Sequence, residues 1–237
     1  MSHMEMGPKI IPSGDSAILV EFENRIDPDV NRSVQSLALA LESEALPGIQ
    51  EVLPAYRTVM VVYDPLEIAY RPLAEKIKIC LRKAENIGIP PGRFFCLPTV
   101  YGGGHGPDLQ RVAAATGLTP GKAIHVFSAT RFRVYFIGFV CGLAYLGGLP
   151  EILRMPRLAT PRTFVPAGSV GLAGDQANAL PADQPSGFNY IGRTFVELYN
   201  PHGFPPVPFL SGDEIQFIPV AEEEAIQARG KQAIDFL

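Results

Sequence analysis

The segment Ile89–Gly92 most constrains the fold, because it separates two stretches of different composition. Its sequence, Ile-Pro-Pro-Gly, interrupts helices and central strands, and its prolines make a stiff linker. Longer apolar runs with helical or strand periodicity precede it, whereas glycine and proline are frequent after it. We therefore predict a small domain at residues 8–89, a second domain at 93–221 and a C-terminal tail at 222–237.

The first domain has the pattern of an α+β unit in the order ββαββα. Apolar runs predict strands at 9–12, 17–22, 49–53 and 58–63. Asp27 and Pro28 suit the cap and first position of a helix, and a second helix should end near Gly88. The inner stripes of the two helices are Val30, Val34, Leu37 and Leu41, then Leu73, Ile77 and Leu81. We expect one antiparallel sheet covered on one face by two helices.

The second domain is predicted to be mainly β. Many short runs separated by glycine and proline are typical of a barrel or sandwich. The expected strands are 94–100, 133–139, 170–173, 190–191, 196–199 and 214–220. One or two short helices are expected, one of them from Pro107 to about Ala115. From Glu222 the tail is predicted to be a polar, frayed helix.

Composition indicates a globular chain, with 47% hydrophobic and 19% charged residues. The net charge of −4 gives no general attraction to nucleic acid or an anionic membrane, so neither is expected as a partner. No apolar run approaches the roughly 20 residues that span a bilayer. The polar start lacks the core of a signal peptide, and His3 lies in what looks like a vector remnant and is given no functional weight.

The spacing of the cysteines favours a cytoplasmic protein and argues against a zinc site. Cys80, Cys96 and Cys141 are widely spaced and form no CxxC pair, which suits reduced thiols in a cytoplasmic protein. The chain also lacks HExxH, EF-hand and dinucleotide-binding motifs. No tightly bound metal is therefore expected.

A glycine-rich turn at 101–109 is the first candidate site segment. Glycines let backbone N–H groups face a ligand, and a turn leading into a helix start is a general anion site. Asp108, however, places a carboxylate where the anion would sit, so a tight turn with a dipole-matched aspartate is the alternative. His105 is either a ligand contact or an ordinary surface histidine.

The apolar stretch 138–150 contains four glycines, which should break any helix or strand. Its backbone groups need partners if it is buried, so it either lines a cavity or packs on itself. Tyr145 could offer its hydroxyl to a ligand, or it could be a core aromatic residue. Cys141 is a weak candidate for a nucleophile, because no histidine lies near it in sequence.

Arg157 and Arg162, each after a proline, suit a bidentate grip on carboxylate or phosphate. Their spacing of five would point them to opposite faces of a strand, so both reach one pocket only if the loop bends. Surface salt bridges are the alternative for either one.

The stretch 165–174 carries small side chains on one predicted strand face, including Ser169. Such a face marks the close approach of another backbone or a ligand. Ser169 has no base within the motif, so a hydroxyl donor fits it better than a nucleophile. Gln176 could hydrogen-bond an amide or carboxylate of a ligand, and Arg193 follows a short strand.

Taken in order, these segments resemble one family. The matching motifs are Gly14–Phe22, Pro54–Arg57, Tyr63–Pro65, Gly106–Leu109, Gly138-Phe139, Tyr145–Leu149, the two Pro-Arg pairs, Val165–Val170, Gly192–Thr194 and Gly212-Asp213. They span roughly residues 10–220. The family is the B-type subunit of the ATP-dependent 5-oxoprolinase, also described as KipI or allophanate hydrolase subunit 1.

The resemblance implies an α+β N-terminal domain followed by a mainly-β, cyclophilin-like barrel domain. It implies a hetero-oligomer with a C-type, KipA-like subunit, an active site near their interface, and a third, A-type subunit that is amidohydrolase-like. The implied reaction is ATP-driven opening of the lactam 5-oxo-L-proline to L-glutamate, with magnesium accompanying ATP. The expected catalytic residues are Arg157, Arg162, Ser169, Gln176 and Arg193. The expected substrate-binding residues are Tyr145, Gly147, Gly148, His105, Asp108 and Thr194.

The chain departs from the family pattern at four segments. Gly104 replaces a glutamate, and Cys141–Leu143 replaces Pro-Gly-Phe. Ala177-Asn178 replaces Thr-Gly, and Ser186–Phe188 replaces Gly-Gly-Trp. Because all four fall on expected site loops, another substrate or a non-catalytic role stays open.

Three alternatives to the enzyme component follow. One is a KipI-like regulator that inhibits a sensor histidine kinase by binding. Another is a carboxyltransferase component of the urea or allophanate type, which would depend on a biotinylated carrier. A cyclophilin-type prolyl isomerase would share only the architecture, and fold alone does not carry function.

Overall fold

The computed structural model describes residues 7–237, which leaves His3 and the rest of residues 1–6 outside it. The described chain forms two compact units that divide between Pro90 and Pro91, within the Ile-Pro-Pro-Gly segment. Within residues 7–237, no helix is both long and apolar enough to cross a bilayer.

The first unit is a four-stranded antiparallel sheet with two helices. Its elements are β1 (Lys9–Pro12), β2 (Ala17–Glu21), α1 (Pro28–Glu44), β3 (Ile49–Pro54), β4 (Thr58–Tyr63) and α2 (Tyr70–Ala84). The strand order is β1-β2-β4-β3. Burial alternates along β2 and β4, whose buried side chains Ile18, Val20, Val59 and Val61 belong to one core with α1 and α2. The expected ββαββα unit is confirmed.

Capping and packing account for the ends of these helices. The carboxylate of Asp27 accepts hydrogen bonds from the N–H groups of Asp29 and Val30, at 2.9 and 3.2 Å, and Pro28 begins α1. The prediction that the second helix ends near Gly88 is wrong, because α2 ends at Ala84. The N–H of Ile87 instead bonds the carbonyl of Ala84, and this turn lets Ile87 pack against the core.

The second unit is a closed barrel of seven strands, so the expected fold class, an α+β domain followed by a mainly β barrel, is confirmed. The strands are β5 (Phe94–Tyr101), β6 (Phe132–Ile137), β7 (Ala144–Gly147), β9 (Ser169–Ala173), β10 (Gln176–Ala179), β12 (Asn189–Thr194) and β13 (Glu214–Pro219). Their order is β10-β7-β6-β13-β5-β12-β9, and only β13 and β5 are parallel among these pairs. A separate antiparallel pair joins β8 (Arg162–Val165) to β11 (Gln184–Ser186).

Two helices and a cluster of aromatic rings complete the barrel core. The helices are α3 (Leu109–Thr116) and α4 (Pro120–Ser128). Phe127 from α4 is fully buried and contacts Phe132 and Phe217, with ring centroids 4.8 and 5.8 Å away. Buried aromatic pairs of this kind add to the stability gained from their buried area.

Three expectations for this unit are wrong. Residues 144–147 form a barrel strand despite the glycines, and Gly147 is needed there because a Cβ would lie 2.3 Å from the ring of Tyr135. Residues 196–199 form no strand and contribute only one isolated bridge, between Glu197 and Gln232. The helix predicted from Pro107 begins at Leu109, because the chain at Asp108 is held to β12.

The tail is not a frayed helix. Its helix, α5 (Glu222–Ile226), is short, and a 3-10 turn follows at Ala233–Phe236. Ala225, Ala228 and Ala233 are all buried, the last two in the barrel core. Small apolar side chains at these positions let a polar-looking segment pack closely against the barrel.

Asp213 joins the starts of β5 and β13, so we expect its charge to be needed for barrel stability. Its buried carboxylate accepts hydrogen bonds from Arg93 Nη2 at 2.6 Å, Arg93 N at 2.9 Å and Leu210 N at 2.7 Å. Asp213→Asn should lower the free energy of unfolding by about 2–3 kcal/mol, because it leaves the Arg93 guanidinium without its counter-charge. Urea denaturation measures this loss.

The matched control is Asp15→Asn at an exposed turn, which should change stability by less than about 0.5 kcal/mol. Equal effects of the two substitutions would show that the network around Asp213 contributes nothing specific.

Candidate functional site

One cavity of about 460 Å³ gathers three of the expected site residues, Tyr145, Arg157 and Gln176. Tyr145 comes from β7 and Gln176 from β10, while Arg157 follows an isolated bridge at Met155. We call it the first cavity. It is also lined by Phe139, Leu143, Ala144, Pro161, Ala177, Asn178, Leu180, Gln184, Pro185, Ser186, Gly187 and Phe188.

Aromatic rings hold the two central polar side chains of the first cavity. The ring of Tyr145 stacks on Phe136 at a centroid distance of 4.2 Å, and the Arg157 guanidinium lies 5.0 Å from the ring centroid of Phe188. Burial raises the pKa of Tyr145, and nearby Arg157 opposes that shift. The phenol therefore stays protonated at neutral pH and can donate a hydrogen bond.

Side chains that the sequence did not suggest as ligand contacts form part of the wall. Tyr190 Oη donates to Ser186 Oγ at 2.7 Å, and burial raises the pKa of Tyr190 to about 12. Nearby Asn178 is buried and opposes the rise in the pKa of Tyr190, while its Oδ1 has no partner within residues 7–237. Asn178 and Ser186 belong to segments that depart from the family pattern, and that departure was the only signal for them.

Three of the four segments that depart from the family pattern line this cavity. The segment Cys141–Leu143 contributes Leu143, and the segments Ala177-Asn178 and Ser186–Phe188 contribute all of their residues. Gly104 does not line it. The changes are thus concentrated at one place, where they reshape the wall of a single cavity.

Arg162 does not face the first cavity, since it pairs with Asp108. Its two terminal nitrogens reach the two carboxylate oxygens at 2.8 and 2.7 Å, and the same carboxylate accepts a hydrogen bond from Tyr190 N at 2.8 Å. Asp108 is almost fully buried, and its hydrogen bonds raise the pKa of Arg162. Asp108 lies at the start of α3, but its side chain makes no capping hydrogen bond, because its carboxylate is used by Arg162 and Tyr190 N.

The glycine-rich turn is a tight turn held against β12. The N–H groups of Gly102 and Asp108 donate to the carbonyls of Ile191 and Tyr190, both at 2.9 Å. The N–H groups of His105 and Gly106 both donate to the carbonyl of Gly102. These four N–H groups are paired with backbone carbonyls, so this part of the turn matches the tight-turn interpretation, and anion binding by the turn stays a prediction.

Other expected residues lie away from the first cavity. Ser169 is buried in β9 and donates to the carbonyl of Pro166 at 2.7 Å. Gly147 and Gly148 are not among the lining residues. His105 pairs with Glu222 at 3.0 Å on the outside of the turn.

Arg193 and Thr194 line a second cavity of about 410 Å³. Arg193 lies 5.1 Å from the ring centroid of Phe195, and Arg229 lies 5.3 Å from the same centroid. Arg229 was missed, because the tail was expected to be frayed. Among residues 7–237, no three His, Cys, Asp or Glu side chains are grouped closely enough to hold a metal ion.

Residues 8–209 match the family described as "Carboxyltransferase domain, subdomain C and D". This match covers most of the chain. The chain belongs to this carboxyltransferase family.

Curated relatives agree with that membership. A Bacillus subtilis protein, named as the B-type subunit of 5-oxoprolinase, is 33% identical over 222 residues, covering 89% of this chain and 92% of the relative. An Escherichia coli O157:H7 protein of the same name is 44% identical over 133 residues, but the matched stretch spans only 61% of it. The solved Kluyveromyces lactis urea carboxylase has a TM-score of 0.77 over 93% of this chain and 22% of that one. At 20% identity, this last likeness concerns the fold alone.

We expect the Asp108–Arg162 pair to be strongly coupled. In a double-mutant cycle, Asp108→Asn and Arg162→Gln should show a coupling energy of about 1–3 kcal/mol, because the buried carboxylate accepts hydrogen bonds from both terminal nitrogens of the guanidinium. Denaturation of the four proteins measures it.

The exposed pair Glu75–Lys78, with side chains at 2.7 Å on α2, is the control and should couple by about 0.5 kcal/mol or less. A coupling of that size at Asp108–Arg162 would mean that Arg162 is available for a ligand.

Proposed function

We propose that this chain is the B-type subunit of an ATP-dependent 5-oxoprolinase-type complex and that the first cavity binds 5-oxo-L-proline. The relatives that carry the name of this 5-oxoprolinase component support the assignment. The observation that carries it is the grouping of Tyr145, Arg157 and Gln176 in one partly apolar cavity. A small ligand with one carboxylate and one amide suits such a lining.

Each end of the lactam has a suitable partner. The carboxylate would pair with Arg157, whose guanidinium is held over Phe188 and has no carboxylate within 4.0 Å among residues 7–237. The side chain of Gln176 can donate to the ring carbonyl or accept from the ring N–H. The protonated hydroxyl of Tyr145 adds a second donor for the carbonyl oxygen.

The chemistry explains the need for ATP and for partners. A lactam carbonyl is a poor electrophile, and transfer of the terminal phosphoryl group of ATP to its oxygen makes the carbon attackable by water. After the water adds, the C–N bond breaks, the ring nitrogen takes a proton and the γ-carboxyl group is left as an acyl phosphate. A second water then hydrolyses this acyl phosphate, so that ATP, the lactam and two waters give glutamate, phosphate and ADP. The charge of the phosphoryl group calls for cations, which Mg²⁺ and arginines supply. Since Arg162 is neutralised by Asp108, we propose that a C-type, KipA-like protein and an A-type, amidohydrolase-like protein complete the site.

The first test is ATP hydrolysis by this chain alone and mixed with its C-type and A-type partner homologues, with and without 5-oxo-L-proline. We expect lactam-stimulated turnover only in the mixture. A stable complex without such turnover, or turnover that requires a biotinylated carrier, would rule the proposal out.

The second test isolates the role of Arg157. Arg157→Gln should lower kcat/KM for 5-oxo-L-proline by about 10- to 100-fold, the size expected for one lost charged hydrogen bond. With 2-pyrrolidinone, the same lactam without the carboxylate, the substitution should change the rate little.

Arg154→Gln is the matched control, because Arg154 pairs with Glu151 and Asp175 and does not line the first cavity. It should leave both rates unchanged. Equal losses with both lactams for Arg157→Gln would contradict a carboxylate contact at this residue.

A further inference from the structure

The second cavity presents two cations on one aromatic ring. Arg193 and Arg229 place their guanidinium carbons 5.1 and 5.3 Å from the ring centroid of Phe195. Both side chains and the ring line a single cavity of about 410 Å³ within the barrel unit. The ring restrains the two guanidinium groups without using their in-plane N–H donors.

The positive charge in this cavity lacks a direct counter-charge. Within residues 7–237, neither arginine has a carboxylate oxygen within 4.0 Å. Arg193 Nε donates to the carbonyl of Ala167 at 2.9 Å, which fixes the side chain without neutralising it. Burial lowers the pKa of Arg193, and the neighbouring charge of Arg229 lowers it further, with Asp183 opposing.

The carboxylates around the cavity already have other partners. Glu197 lines the cavity and accepts a hydrogen bond from Asn200 Nδ2 at 3.0 Å. Asp183 accepts one from Ala167 N at 2.7 Å and does not line the cavity. A bound anion would therefore meet two guanidinium groups and, among the lining residues, the single carboxylate of Glu197.

We infer that the second cavity binds a phosphate group through Arg193 and Arg229, either as free phosphate or as the phosphoryl group of a nucleoside phosphate. Two planar guanidinium groups offer the paired donors that phosphate oxygens accept. The net charge of −4 gives the chain no general attraction for anions, so the attraction for phosphate must come from the two arginines of the cavity. The inference rests on the proposed function only for the source of the phosphate.

The test is calorimetric binding of inorganic phosphate and of ADP to the full chain alone, at constant ionic strength and with EDTA. We expect measurable binding of at least one probe, weakened about tenfold or more by Arg229→Gln. Arg229 is exposed, so this substitution should leave the fold intact. Much tighter binding of ADP identifies a nucleotide as the source, and equal affinity identifies free phosphate.

Arg82→Gln is the matched control, because it removes the same charge from the exposed face of α2 in the other unit. It should leave both affinities unchanged. No binding of either probe at millimolar concentration, unchanged binding in Arg229→Gln, or equal weakening in both variants would overturn the inference.

This outcome is separate from the test of the 5-oxoprolinase activity. Binding is measured on the chain alone, without lactam and without the C-type and A-type partners. Failed binding leaves lactam-stimulated turnover by the mixture untouched, and failed turnover leaves phosphate binding at the second cavity intact.

Discussion

The hydrogen bonds of the buried Asp108 carboxylate hold in place the strands that form one wall of the first cavity. The carboxylate binds Tyr190 N in β12 and both terminal nitrogens of Arg162 in β8. Arg162 is the strand partner of Ser186 in β11, and Ser186 Oγ accepts the hydroxyl of Tyr190. The contacts form a closed loop, so the strand that carries Ser186 is fixed to the barrel from two sides. A single aspartate thereby positions one wall of a cavity that it does not line.

The same pairing explains why two arginines in similar Pro-Arg motifs have different roles. Residues 156–161 form no strand, so the odd spacing of Arg157 and Arg162 does not decide their directions, and only Arg157 lines the first cavity. Arg162 turns to Asp108, where desolvating the carboxylate is offset by two charged hydrogen bonds. Residue type alone does not separate these roles. The separation depends on which arginine meets a buried acid from a segment 54 residues away in the chain.

Sequence periodicity predicted the first unit nearly completely, because its strands alternate cleanly and its helix α1 has a capping aspartate. The barrel was predicted as a class but not strand by strand. Residues 144–147 form a strand in which Tyr135 leaves no room for a Cβ at Gly147, and two alanines of the tail belong to the barrel core. Three of the expected site residues, Tyr145, Arg157 and Gln176, share the first cavity, and their role there stays a prediction. Arg229 and Phe195 come together through tertiary contacts that no local pattern records.

Both cavities hold arginine over an aromatic ring and without a carboxylate within 4.0 Å among residues 7–237. Arg157 lies over Phe188, and Arg193 and Arg229 lie over Phe195. A contact with a ring face contributes only about 0.5–2 kcal/mol and leaves the in-plane donors available. Arg93 also lies over a ring, 5.1 Å from the centroid of Phe95, but it directs its donors to the buried carboxylate of Asp213, as Arg162 does to Asp108. A ring contact therefore fixes the position of an arginine, and its hydrogen-bonding capacity remains for a carboxylate or phosphate only where no buried acid takes it.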